Sequence, residues 1–206
     1  MSVPLTATEV ARLLAVSRET SERLEAYVAL LEKWNPRINL VGPATLPDVW
    51  RRHILDSAQL HPLVAGAATL VDIGSGAGLP GLILALLGGP EVHLIEADAR
   101  KCAFLYEAAR VTGTKLSIHA QRIEAAPAIA ADIVTARALA PLAQLLDHAV
   151  RFLKPGGKCV FLKGARQADE LTDARKTWHM KVTERPSRSD PSGVILEVES
   201  PIRERE

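Results

Sequence analysis

Scarcity narrows the possibilities for this 206-residue chain before any motif does. It has only two cysteines, Cys102 and Cys159, far apart and with no histidine cluster near either. No disulfide framework and no metal site follow, and a reducing cytoplasm is the expected compartment. The opening, MSVPLTATEV, lacks the basic start and apolar stretch of a secretory leader. No apolar run approaches the roughly 20 residues a membrane span requires, so a soluble protein without membrane contact is expected. Charge is nearly balanced at +1, which gives no global attraction to nucleic acid; such a partner has to be met by a local patch. There is neither an internal repeat nor a low-complexity segment. What is present is 48% hydrophobic residues, ample for a core, in a length that fits one domain with a small helical addition.

The chain is organised around residues 69–81, TLVDIGSGAGLPG. Leu70–Ile73 is an apolar run interrupted only by Asp72, and Gly74, Gly76 and Gly78 follow at alternate positions. Leu79-Pro80-Gly81 then opens a buried helix, with Pro80 in the first turn where a missing N–H costs nothing. Strand, glycine turn and helix make a nucleotide-type site, because glycines let backbone approach a ligand that a Cβ would block. Two patterns fit. Gly76-x-Gly78-x-x-Gly81 is the dinucleotide fingerprint, a weak signal alone. Asp72-x-Gly74-x-Gly76-x-Gly78 is the acidic-glycine pattern of S-adenosylmethionine enzymes. Charge favours the second: a pyrophosphate wants amide donors and would be repelled by Asp72, whereas a sulfonium and an ammonium are favoured by a carboxylate. A plain tight turn binding nothing is the third possibility.

Residues 1–62 read as a helical extension and 63–206 as the core. Thr6 with Glu9 is a capping-box pattern; Ser17 can cap a longer helix that Pro36 should end; Thr45 can cap a third helix through Ala58. From Thr69 strands and helices alternate, which predicts an α/β domain with a mainly parallel sheet. Predicted strands are 70–73, 91–96, 116–119, 132–136 and 158–163, closed by an antiparallel pair at 180–183 and 194–198. A helix from Asp98 should pack Ala103, Phe104, Leu105 and Tyr106 inward and stop at Gly113.

Glu96 ends the second strand 22 positions after Gly74, placed to accept ribose hydroxyls of an adenosyl cofactor; a solvated strand-end acid is the alternative. After the fourth strand comes TARALAP, residues 135–141, without the Asp/Asn-Pro-Pro-aromatic signature or a Pro-Cys nucleophile. Both cysteines read as buried packing. An acceptor with a free lone pair needs neither base nor covalent intermediate; guanine N7 is one, and catalysis is then mainly alignment. No general base is therefore assigned. Arg137 cannot be one, since a guanidinium is never deprotonated in proteins; it can bind a phosphate or base edge, shape the cofactor pocket, or form a salt bridge. Lys33, Arg37, Arg51 and Arg52 against Asp48, then Lys163, Arg166, Arg185 and Arg188, supply a patch for RNA only if they cluster near the cofactor face. His53 and Asp56, three apart, can pair with each other or face RNA. A small-molecule methyltransferase and an NAD(P)-binding regulatory module remain the rival readings.

The segments LLEKWNPRINLVG, RRHILDS, LVDIGSGAGLPG, TARALAP and FLKG, spread over nearly the whole chain, resemble the RsmG (GidB) family, bacterial methyltransferases of small-subunit ribosomal RNA. The resemblance implies a class I, Rossmann-like S-adenosylmethionine-dependent fold, with helices on both faces of the sheet. It implies N7 methylation of one guanosine in 16S RNA. A monomer is expected. By motif position it implies cofactor contacts at Gly74, Leu79, Ile123, Glu124 and Arg137. Asn39, Arg52, His53 and Lys163 become the candidate RNA contacts.

Overall fold

Short apolar, β-branched runs between glycine, proline and polar turns build seven strands. They are β1 Thr69–Ile73, β2 Glu91–Glu96, β3 Ser117–Ala120, β4 Ala131–Arg137, β5 Leu153–Lys163, β6 Trp178–Pro186 and β7 Val194–Arg203. In the computed structural model, which describes residues 3–204, they form one sheet in the order β3-β2-β1-β4-β5-β7-β6. Pairs from β3 to β5 are parallel, and β7 runs antiparallel to both β5 and β6. This is the expected α/β class.

Before β1 lie α1 Ala7–Leu14, α2 Arg18–Ile38, and two short pieces, α3 Asp56–Ala58 and α4 His61–Val64. The crossovers are α5 Gly81–Leu86, α6 Ala99–Thr112, α7 Leu142–Ala149 and α8 Gln167–Ala174. Alternation along the strands sorts the core into two layers. Leu70, Leu94 and Ile133 pack with Leu24 and Leu31 of α2, Leu82 of α5 and Phe104 of α6, so the helices before β1 share one cluster with the sheet. Val71, Ile73 and Val134 pack on the opposite face with Leu145 of α7 and Leu171 of α8. No helix among the described residues is long and apolar enough to cross a membrane.

Three local expectations are corrected. Pro36 does not end α2; it sits in the last turn, and the stop comes at Asn39, whose φ of 48° turns the chain left-handed. The helix expected from Thr45 to Ala58 is broken: Pro43–Asp48 is a tight 3₁₀ stretch, with Pro47 inside it, and Trp50–Leu55 is a wide π turn. Thr45 caps nothing there. The wide turn brings His53, Ile54 and Leu55 inward in succession, and such turns are frequent at functional sites. In α6, Ala103 and Tyr106 face outward, because four consecutive residues cannot share one side of a helix.

Candidate active site

The chain leaves β1 over the carboxyl edge of the sheet, beside the reversal of strand order between β1 and β4, where open α/β sheets bind ligands. Gly76 and Gly78 take φ of 56° and 82°, a region L side chains rarely adopt. Their roles differ. A Cβ on Gly78 would lie 2.8 Å from Leu82 Cβ, so this glycine serves packing. A Cβ on Gly76 meets only Gly74 O, at 3.9 Å, and otherwise open space. Asp72 lies wholly buried beneath the turn: its Oδ1 accepts the Thr135 hydroxyl at 2.8 Å and its Oδ2 the Gly81 N–H at 3.3 Å. Burial raises its pKa to about 6, against the downward pull of those hydrogen bonds. Asp72 was expected to face a cationic ligand. Instead it ties β1, β4 and the start of α5 together.

A cavity of about 680 Å³ opens above the turn, bordered by Gly74, Gly76, Leu79, Glu96, Ile123, Glu124 and Arg137. Glu96, 9% exposed, accepts the Gly76 N–H on Oε2 at 2.9 Å and the Asp98 N–H on Oε1 at 2.8 Å. It thus joins the glycine turn to the start of α6. Ile123 and Glu124 lie in a short turn after β3 that closes the far end, where Arg151 Nη1 donates to Ile123 O at 2.9 Å. From the opposite side Tyr27 of α2 donates its hydroxyl to Ala77 O at 2.7 Å, bracing the turn from the helical lead.

A second cavity of about 680 Å³ adjoins the first, and the two share Thr45, His53, Arg137, Ala138 and Leu139 as a common wall. The wall is held by one chain of hydrogen bonds. Arg137 Nη1 meets His53 Nδ1 at 3.0 Å, Asp56 Oδ2 at 3.3 Å and Arg52 O at 3.3 Å. A guanidinium only donates, so Nδ1 accepts and Nε2 carries the hydrogen. Nε2–H then donates to Thr45 Oγ1 at 2.7 Å, which donates to Gly42 O at 2.6 Å. Burial, then the charges of Arg137 and Arg52, lower the His53 pKa to about 3. The imidazole is neutral with both nitrogens engaged. Around this second cavity Arg52 pairs with Asp190 at 2.6 Å and Lys163 with Glu170 at 2.5 Å. Arg166 has no carboxylate partner among the described residues.

This geometry has known relatives. The sequence matches the family described as GidB, rRNA small subunit methyltransferase G, over residues 20–189. It is 62% identical over 191 residues to the ribosomal RNA small subunit methyltransferase G of Rhodospirillum centenum, covering 92% of this chain and 88% of the relative. The protein of the same name from Rhodospirillum rubrum is 60% identical over 184 residues, covering 89% and 92%. The chain belongs to this family. Among solved structures it is similar to M. jannaschii TYW2 in complex with AdoMet, with a TM-score of 0.57, 16% identity, and 74% and 76% of the two chains covered. At that identity the likeness carries the fold alone.

In this GidB-family chain the first cavity brings together Gly74, Gly76, Leu79, Glu96, Ile123, Glu124 and Arg137, and leaves Asp72 and Gly78 outside it. Arg52, His53 and Lys163 border the second cavity. His53, however, is locked into the wall, and Lys163 is 7% exposed and bonded to Ala140 O at 2.9 Å. Asn39 is an exposed helix stop that borders neither cavity. Thr45, Glu170 and Asp190 were missed. Thr45 read as a helix cap, and no motif singles out Glu170 or Asp190; the Asp190 partner, Arg52, lies 138 positions away.

Proposed function

We propose that this chain is an S-adenosylmethionine-dependent methyltransferase of small-subunit ribosomal RNA, acting as a monomer in the bacterial cytoplasm on N7 of a guanosine in 16S RNA. The carrying observation is a glycine-turn cavity and a cation-bordered cavity that share a wall in which no side chain is free to accept a proton. The shared name of the relatives supports ribosomal RNA as the substrate.

The first cavity fits the cofactor. Gly76 presents no side chain to it, and the Gly76 amide, which a pyrophosphate would need, is already given to Glu96. Each Glu96 oxygen accepts one backbone N–H and keeps a lone-pair site for a ribose hydroxyl. Ile123 and Glu124 border the adenine end. When bound, S-adenosylmethionine supplies a methyl group on a positively charged sulfur. Arg137 and His53 hold the wall between donor and acceptor in one shape, and His53 takes no proton because Nδ1 is already accepting one hydrogen bond from Arg137. Guanine N7 asks for no such help, having its lone pair free at neutral pH. The chain's own contribution is alignment.

The test is incubation of the purified protein with methyl-labelled cofactor and either naked 16S RNA or small ribosomal subunits. Borohydride–aniline cleavage and primer extension then map the label. One cleaved guanosine is expected; label elsewhere than on a guanine, or binding of NADH without S-adenosylmethionine in equilibrium dialysis, overturns the reading.

A further inference from the structure

The cavity that would receive the acceptor is bordered by three carboxylates, an unusual choice for a surface that meets nucleic acid. Two of them are fully used. Asp56 accepts from Arg137 on Oδ2 and from Gln59 and Ser189 on Oδ1. Asp190 accepts from Arg52 on Oδ2 and from the Ser192 N–H and hydroxyl on Oδ1. Glu170 is different. Its Oε2 takes both the Leu142 N–H, at 3.0 Å, and the Lys163 ammonium, at 2.5 Å, while Oε1 has no donor among the described residues. Nor is Oε1 sealed away, since it is not one of the partnerless side-chain atoms buried from solvent. Lys163 uses two of its three donors, on Ala140 O and on Glu170.

An anchored acceptor beside an anchored donor matches one purine edge. Guanine carries O6, an acceptor, next to N1–H and the 2-amino group, both donors. Adenine reverses the pattern, with a donor at N6 and an acceptor at N1. We propose that Glu170 is the residue that specifies guanine, its Oε1 accepting from N1–H and the 2-amino group while the remaining Lys163 N–H donates to O6. This rests on the reading that the second cavity receives the target base with N7 toward the shared wall. N7 lies on the other edge of the purine, so the base can be read by Glu170 without obstructing transfer. The Leu142 N–H and Lys163 pin the carboxylate, so it does not reorganise to serve a wrong base, and a charged hydrogen bond left unmade on a mismatched base is costly.

The experiment compares kcat/KM for small-subunit RNA in which the mapped guanosine is left in place or replaced by inosine, which lacks the 2-amino group, or by 2-aminopurine riboside, which lacks N1–H and O6. The native protein should prefer guanosine over each analogue by about 10- to 100-fold, the range a charged hydrogen bond supplies. Glu170→Gln should bring the inosine ratio near one, with cofactor affinity by calorimetry unchanged as the check on folding. A Glu170→Gln protein that keeps the native ratios overturns the assignment. So does a native protein that methylates the 2-aminopurine substrate as fast as guanosine, a result that needs no variant. A native protein that leaves guanosine itself unmethylated overturns the underlying reading as well, and is distinguished by the absence of any N7 product.

Discussion

His53 is worth following because its protonation is forbidden by its place in the fold. The folded pKa is about 3 against 6.5 for an ordinary imidazole. Below pH 6.5 the unfolded chain binds a proton that the folded chain refuses, so the stability His53 contributes is present above that pH and is lost as the pH falls toward 3. Asp72 acts in the opposite sense: its folded pKa of about 6 lies above the ordinary 3.8, so its contribution is present below 3.8 and lost as the pH rises through 6. Relative to the native chain, His53→Gln should therefore lose pH sensitivity. The gap in urea-unfolding free energy between the two proteins should narrow by about 2 kcal/mol from pH 7 to pH 5, one pKa unit being worth about 1.4 kcal/mol. A constant gap would show that the imidazole titrates freely. The glycines divide by the same residue-level logic. Gly76→Val leaves open space around its Cβ, so it should cost about 1–2 kcal/mol of backbone strain in a thermal melt while weakening cofactor binding at least tenfold in calorimetry. Gly78→Ala forces its Cβ against Leu82 and should lower stability before it affects affinity.

At the scale of elements, α2 does more than cover the sheet. Leu24, Tyr27, Val28 and Leu31 form its buried stripe, and the Tyr27 hydroxyl meets the glycine turn at Ala77 O. Tyr27→Phe keeps the packing and leaves that carbonyl unpaired. It should destabilise the protein by about 1–2 kcal/mol and weaken cofactor binding severalfold; an unchanged affinity would reduce α2 to a lid over the core. The stripe was legible in the sequence as apolar residues at three- and four-residue steps, and so were β1, β2 and β4, because a short apolar run between turn formers has few other fates. Residues 43–58 were not legible. Pro43 and Pro47 impose a tight stretch, the next turn widens, and neither leaves a periodic trace in composition. Glu96 could be found by its spacing from Gly74, since both belong to one local unit. The ion pair Arg52–Asp190 could not, because its partners lie 138 positions apart and meet only in the folded molecule; Lys163–Glu170 crosses from the end of β5 into α8 with no motif to mark it.

Across the whole molecule the charge is +1, and around the acceptor cavity Arg52, Lys163 and Arg137 each face an internal carboxylate. Such a protein has little long-range pull on a polyanion. Its hold on RNA comes from shape and from the few cations left without a partner, of which, among the described residues, Arg166 is the one bordering the cavity. The dependence of log K on log salt scales with the number of phosphates neutralised, at about −0.9 per contact on a duplex and about −0.7 on a single strand. A slope of about −1 to −3 is therefore expected, well short of the value of about −10 that a strongly basic nucleic-acid binder reaches. Asp190 provides the control. At the border of the cavity its Oδ2 accepts from Arg52 Nη1 at 2.6 Å, and Asp190→Asn releases that guanidinium without removing it. Binding of the variant to small-subunit RNA, followed by fluorescence anisotropy across a salt series, should tighten at low salt and steepen by about one contact. A variant slope equal to the native one would mean that Arg52 meets no phosphate even when free, and that the ion pair serves only to fasten the loop before β7 to the helical lead.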